Sequence, residues 1–212
     1  MNKITILLLI TLVGFSACKS AKLRKKTADE LAIGLHEGVL LVRLQTAERK
    51  ANTLRQLEKP EEAEKVLAEQ KVFNQKVRTA FETHYDFSPV YFFYAPNSRL
   101  VREGKFSEVL HDFQKQDLTA DNIVDQSFLV AEFTEVKAPA TNAGLDALVL
   151  MDDQFKQISM PFPYAVPTHI FGKETLADKA VLSLNQKLQD FYAKAVFRER
   201  KRECCDAHRG LR

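Results

Sequence analysis

A chain of 212 residues with seven scattered glycines, three cysteines and no tryptophan has the length of a single domain and no clustered glycines to cradle a phosphate. G-x-G-x-x-G, Walker A and G-x-S-x-G are all absent, so no cofactor is expected. The formal charge of +3 is an end effect: Lys3 carries one positive charge, Lys19, Lys22, Arg24, Lys25 and Lys26 carry five, and the segment from Arg198 onward is net +3, which leaves about −6 on the body from Thr27 to Phe197. A nucleic-acid-binding body needs Lys and Arg gathered on a folded face, so no nucleic-acid partner is expected.

The N-terminus reads as a processing signal. Lys3 supplies a positive start, Ile4 to Phe15 an apolar run, and Ser16-Ala17 the small residues before Cys18. At about 1.5 Å per helical residue, Ile4 to Ala17 falls short of a roughly 30 Å hydrocarbon core. The small-small-Cys ending fits a bacterial lipoprotein signal peptide (residues 1–17), with Cys18 as the lipid attachment site. Ordinary secretion with an incidental cysteine, or an uncleaved apolar N-terminus, are the alternatives. Several acyl chains on one residue, such as palmitate, exceed the single chain at which anchoring is marginal. The basic tether, residues 18–26, either lies against anionic headgroups or acts as a solvated linker. Lys19, where inner-membrane lipoproteins of Gram-negative type carry Asp, points by resemblance to the outer membrane, facing the periplasm.

Removal of residues 1–17 leaves about 195 residues, enough for one α/β domain (27–197) and a basic tail, expected to be disordered, from Arg198 to Arg212. In Thr27-Ala28-Asp29-Glu30, Thr27 can cap a helix while Glu30 reaches back, which predicts a short helix to about His36. Gly38 to Leu44 is ambiguous, since Leu40, Leu44, Ala47, Ala51 and Leu54 also recur at helical spacing, and the strand is favoured because glycine is costly inside a helix and the apolar, valine-bearing run suits burial. A helix follows from Thr46 to Leu57 and breaks at Lys59-Pro60. Ala63, Val66, Gln70, Phe73, Val77 and Ala80 then repeat at three-four spacing, one stripe of a long helix that forms a hairpin with its predecessor.

Pro89-Val90-Tyr91-Phe92-Phe93-Tyr94 is aromatic and β-branched with both faces apolar, which predicts a central strand of a covered sheet. A short helix runs from Ser98 to Gly104. Phe128 to Phe133 and Leu145 to Met151 are further strands. Asp152-Asp153-Gln154 is a turn that returns through Phe155 to Met160 as an antiparallel partner. A last helix, about Leu176 to Ala195, aligns Leu176, Ala180, Leu184, Leu188 and Phe191 on one face. The predicted fold is α/β, with a mixed sheet of about four to five strands packed against a helical hairpin and a C-terminal helix.

Phe87 to Tyr94, Leu148 to Phe155 and Pro161-Phe162-Pro163-Tyr164 resemble an uncharacterised family of Bacteroidota-type envelope lipoproteins. The resemblance spans roughly Gly38 to Tyr164 and implies no catalytic residue. The strand order also resembles thioredoxin-like folds. The chain has no Cys-x-x-Cys motif, which excludes thiol–disulfide exchange by that route.

No metal site is expected either. His36, His84, His111, His169 and His208 are well separated, with no H-E-x-x-H and no i,i+4 pair to set two ligands on one helix face. Cys204-Cys205-Asp206 with His208 lacks the spaced pairs of a zinc site, and a disulfide between neighbouring cysteines closes a strained ring. Asp152 and Asp153 are turn formers before they are a catalytic pair, since adjacent strand residues alternate faces. Between Met160 and Pro167 the prolines stiffen the chain, and Phe162 and Tyr164 either line a binding groove or pack at the core edge. The expectation is a non-enzymatic, membrane-anchored envelope module that binds a protein partner or envelope component. The alternative is a periplasmic enzyme whose site is assembled from residues distant in sequence.

Overall fold

Residues 28–110, 127–137 and 144–209 are described in the computed structural model. The signal segment, Cys18, the basic tether and Thr27 lie outside these residues. Helix α1 (residues 28–37) buries Ala28, Ala32 and Leu35 and leads into strand β1 (Val39–Leu44). Gly38 makes the junction possible: a Cβ there would lie 1.9 Å from the Ser127 carbonyl oxygen, so only glycine lets β1 start beside its neighbour.

Helices α2 (Glu48–Gln56) and α3 (Pro60–His84) form the expected hairpin, tied by Arg55 to Glu64 at 2.9 Å. Pro60 occupies the first turn of α3, where its missing N–H costs nothing, and Glu61 and Glu62 complement the positive end of the helix. Strand β2 (Val90–Tyr94) follows, then helix α4 (Ser98–Arg102), which stops at Gly104 with φ of +74°. Beyond it come β3 (Phe128–Lys137), β4 (Gly144–Met151), β5 (Ala165–Pro167) and helix α5 (Leu176–Arg209).

The five strands form one mixed sheet in the order β2-β1-β3-β4-β5. β1 is parallel to both β2 and β3, with Val42 opposite Phe92 on one side and Ala131 on the other. β4 is antiparallel to β3, and β5 to β4. Successive side chains alternate between two apolar layers. Leu40, Val42, Leu44, Phe92 and Leu148 join Val77 and Phe81 of α3, Ala32 of α1, and Leu184 and Leu188 of α5. On the other face, Val39, Leu41, Phe93 and Val149 meet Val101, Phe106 and Val109 from the segment after β2.

Three expectations are corrected. β2 lies at the sheet edge and not at its centre. Its two apolar faces reflect the layers above and below it and say nothing about neighbours in the plane of the sheet. Residues 155–160 do not form the antiparallel partner of β4. They make one bridge, Met151 to Gln157, and the strand partner is β5, in which Val166 lies opposite Leu148. Pro161 and Pro163 lack the N–H groups a ladder requires, so pairing resumes only beyond them. The segment from Arg198, expected as a disordered tail, continues α5 as helix to Arg209.

A buried carboxylate supplies the reason for that extension. Asp29, 1% exposed, accepts from Arg198 Nε at 3.2 Å through Oδ1 and 3.1 Å through Oδ2, from Arg198 Nη2, and from Arg202 Nη2 at 2.7 Å. Arg198 and Arg202 are one turn apart and so share a helix face. Burial alone would raise the Asp29 pKa, but the hydrogen bonds and charges of the two arginines outweigh it and hold the carboxyl below its ordinary value of 3.8. A depressed folded-state pKa contributes stability that is complete above 3.8 and fades as pH falls through and below it. Asp29→Asn is therefore expected to cost about 1–3 kcal/mol at neutral pH. In denaturant unfolding followed across pH, the gap between variant and wild type should narrow on acidification below 3.8. A gap constant down to pH 2 would remove the ion pair as its cause.

Candidate functional site

A cavity of about 510 Å³ opens where β1 and β2 end, between those strand ends and the flank of α3. Its size falls within the range of small-ligand sites. Thr46 and Glu48 follow the carboxyl end of β1, Tyr94 closes β2, and Gln70, Asn74 and Arg78 project from α3. Open parallel sheets bind ligands at this end of their strands, where the chain leaves the sheet and the backbone is irregular.

The turn bearing Thr46 and Glu48 is held through Gln45 from two sides, α3 and β3. Asn74 Nδ2 donates to the Gln45 carbonyl at 2.7 Å, and Gln70 Nε2 donates to Asn74 Oδ1 at 2.9 Å. Gln45 Nε2 donates to Oε1 of buried Glu132 in β3, whose Oε2 accepts from Arg43 Nη1 at 3.0 Å. Between Thr46 and Glu48, Ala47 adopts a left-handed backbone with φ of 56°. That conformation is unfavourable for a residue with a Cβ and persists where surrounding bonds impose it.

Arg78 is buried in the cavity wall with its guanidinium over two rings, 4.8 Å from the Phe92 centroid and 5.8 Å from that of Tyr94. Stacking on aromatic faces stabilises a cation that burial has removed from water. Lys71 adds a second positive charge, while Glu48 and Glu82 add two negative ones. Amides, a hydroxyl and both signs of charge suit the backbone and polar side chains of an extended peptide, or a small polar ligand, better than an acyl chain.

Of the expected α3 stripe, Ala63, Val77 and Ala80 are buried, while Val66, Gln70 and Phe73 are half-buried. The site residues sit beside it. Gln70, Asn74, Arg78 and Glu82 follow one another at four-residue intervals, a polar row along one flank of the helix. Counting Gln70 within an apolar stripe hid that row. The signal was the i,i+4 repetition of long polar side chains.

Phe162 and Tyr164 are not part of this cavity. Phe162 is 0% exposed and meets Phe191 of α5 edge-on at 5.8 Å, so it is a core residue and not a groove wall. Tyr164 is half-buried against the same core, and its carbonyl accepts from the Leu150 N–H at 2.6 Å. Asp152 is the turn former that its sequence suggests, with Oδ1 accepting from the N–H groups of Gln154 at 3.0 Å and Lys156 at 2.8 Å.

Among the described residues, His36, His84 and His169 belong to no common cluster of ligating side chains, and the side chains of His111 and His208 lie outside the described residues. His36 stacks on Tyr192 at 4.1 Å, and His84 Nε2 lies 3.5 Å from Asp178. Among the described residues no cluster of His, Cys, Asp or Glu could hold a metal ion, and no helix is long and apolar enough to cross a membrane. The backbone of α5 passes through Cys204 and Cys205, whose side chains, with His111, lie outside the described residues. No family model, curated protein or solved structure matches this chain.

Core and rim positions separate experimentally. Phe162→Ala is expected to lower unfolding stability by about 3–5 kcal/mol, whereas Gln75→Ala, exposed at the cavity rim, should stay within about 0.5 kcal/mol of wild type. A Phe162→Ala protein that unfolds at the wild-type denaturant midpoint would make Phe162 a groove residue after all.

Proposed function

We propose that the chain is a lipid-anchored binding module of the bacterial envelope, acylated at Cys18, held at the outer membrane facing the periplasm, and recognising a polar segment of an envelope partner through the cavity on α3. The resemblance of Phe87 to Tyr94 and Leu148 to Phe155 to Bacteroidota-type envelope lipoproteins belongs to this reading. The observation that carries it is the separation of the cavity from the point where the tether enters. Tyr192 of α5 contacts His36 and Phe87, which precede β1 and β2, and six residues further along α5 Arg198 grips Asp29 at the start of α1. No residue of α1, and neither Arg198 nor Arg202, lines the cavity. The cavity lies beyond the carboxyl ends of β1 and β2, past Leu44 and Tyr94. An anchor attached ahead of α1 therefore leaves the residues that line the cavity open to a partner.

The fixed turn at Thr46 to Glu48 and the ready-made hydrogen bonds of Asn74 support recognition without rearrangement, which lowers the ordering cost of binding. The polar groups nearest the cavity already bond to one another and hold its shape.

Two measurements test the reading. Cys18→Ala is expected to abolish fatty-acid labelling and to release the chain from the outer-membrane fraction; labelling that persists in the variant would end the anchoring claim. A photo-crosslinking residue at Gln75, on the cavity, is expected to give a discrete adduct in intact cells that the same residue at Leu57, 62% exposed on the α2–α3 turn, does not give. Equal adducts from both positions would leave the cavity without a role in recognition.

A further inference from the structure

We infer that the C-terminal end of α5 is a second membrane contact, a cationic and aromatic surface that lies on anionic lipid headgroups beside the anchor. This rests on the reading of Cys18 as the lipid attachment site. Phe197 is 70% exposed, an uncommon position for a large apolar side chain on an otherwise polar helix end. Lys194, Arg200 and Lys201, three or four residues away along the helix, surround it and are all exposed. Arg198 and Arg202 face α1, and their two positive charges meet the single negative charge of Asp29, which leaves a further positive excess. Among the described side chains of this stretch, Asp190 and Glu199 are the exposed acidic ones, and those of Glu203 and Asp206 lie outside the described residues. Cations surrounding an aromatic ring on one helix face are the composition of an interfacial element, with the ring at the headgroup level and the charges on lipid phosphates.

The occupant follows from charge and reach. Cys18 and Ala28 are ten residue steps apart, and an extended chain covers at most about 3.6 Å per step, so an anchored bilayer lies within roughly 36 Å of the start of α1. Asp29 binds Arg198 and Arg202 directly, so the basic helix end shares that reach. The segment between Cys18 and α1 carries five cations of its own. Once the acyl chains are inserted, contact by α5 is an intramolecular event at high effective concentration, and weak headgroup contacts suffice. Two attachment points would fix how the domain stands on the membrane, where a flexible tether alone would leave it free to turn.

The chain contains no tryptophan, so Phe197→Trp introduces the only one. Leu182→Trp, at another exposed position of α5 (43%), is the control. It lies fifteen residues away, about 22 Å along the helix. Both full-length proteins are purified from membranes and placed in vesicles of bromine-labelled phosphatidylglycerol or bromine-labelled phosphatidylcholine. Tryptophan at 197 is expected to lose about half its emission in the anionic vesicles, to lose far less in the neutral ones, and to recover near 1 M salt, where the screening length is about 3 Å. Tryptophan at 182 should remain unquenched throughout. Adding Arg200→Glu and Lys201→Glu to the Phe197→Trp chain should abolish the quenching while the anchor keeps the protein on the vesicle. Quenching at 197 no greater than at 182 in anionic vesicles overturns the inference. The mass of the purified chain reports acylation separately. If Cys18 is unmodified the anchoring claim fails, and the same quenching comparison on protein added to the vesicles still decides the helix surface.

Discussion

The architecture depends on burying β1 from both sides. Leu40, Leu41 and Val42 are fully buried although they point alternately to opposite faces of the sheet. A strand of this kind has no polar face to give to water, so a layer is needed above and below it. Helices α1, α3 and α5 supply one. The short elements between Ala95 and Glu108 supply the other with Val101 and Phe106. Parallel neighbours on both edges complete the strand's hydrogen bonding, and the connection between parallel strands must cross over the sheet. The α2–α3 hairpin makes that crossing between β1 and β2. The cavity is a consequence of the crossing, because it forms where the chain leaves β1 and turns toward the hairpin.

Periodic and local features were legible in the sequence. The helix break at Pro60, the stop at Gly104, the Asp152 turn and the runs that became β1, β3 and β4 carry their cause in neighbouring residues. What required three dimensions stayed hidden. The double apolar face of Phe92 and Phe93 signals cover above and below, which an edge strand has as well as a central one. Phe162 sits among prolines in a segment that reads either as a groove wall or as the core edge, and the ring of Phe191, twenty-nine residues on in another element, decides for the core. At Gly38 the need for glycine comes from the carbonyl of Ser127, far along the chain.

Charge gave the largest departure. Arg198 and Arg202 read as part of a solvated basic end, because their partner lies near the other terminus at Asp29. A carboxylate so buried would be costly unpaired, and two guanidinium groups from successive turns remove that cost while adding directed hydrogen bonds. The arginines hold the first turn of α1 to α5, and Leu184, Leu188 and Ala195 bury the helix below them. Favourable tertiary contacts of this kind extend a helix beyond the apolar stripe that marks it in sequence.

The same pairing bears on how the domain responds to load. A pull on the chain ahead of α1 arrives at the amino end of that helix, which has ten residues and one buried apolar side. Packing of Ala28, Ala32 and Leu35 is modest in area for a mechanical attachment, since two of the three side chains are single methyl groups. Asp29 transfers the load to α5, whose apolar face runs from Ala177 to Ala195 through the main core. Because His36 also stacks on Tyr192, α1 is joined to α5 at both of its ends. The joint ties the first helix to the longest described one, through residues distinct from those that hold the turn at Ala47.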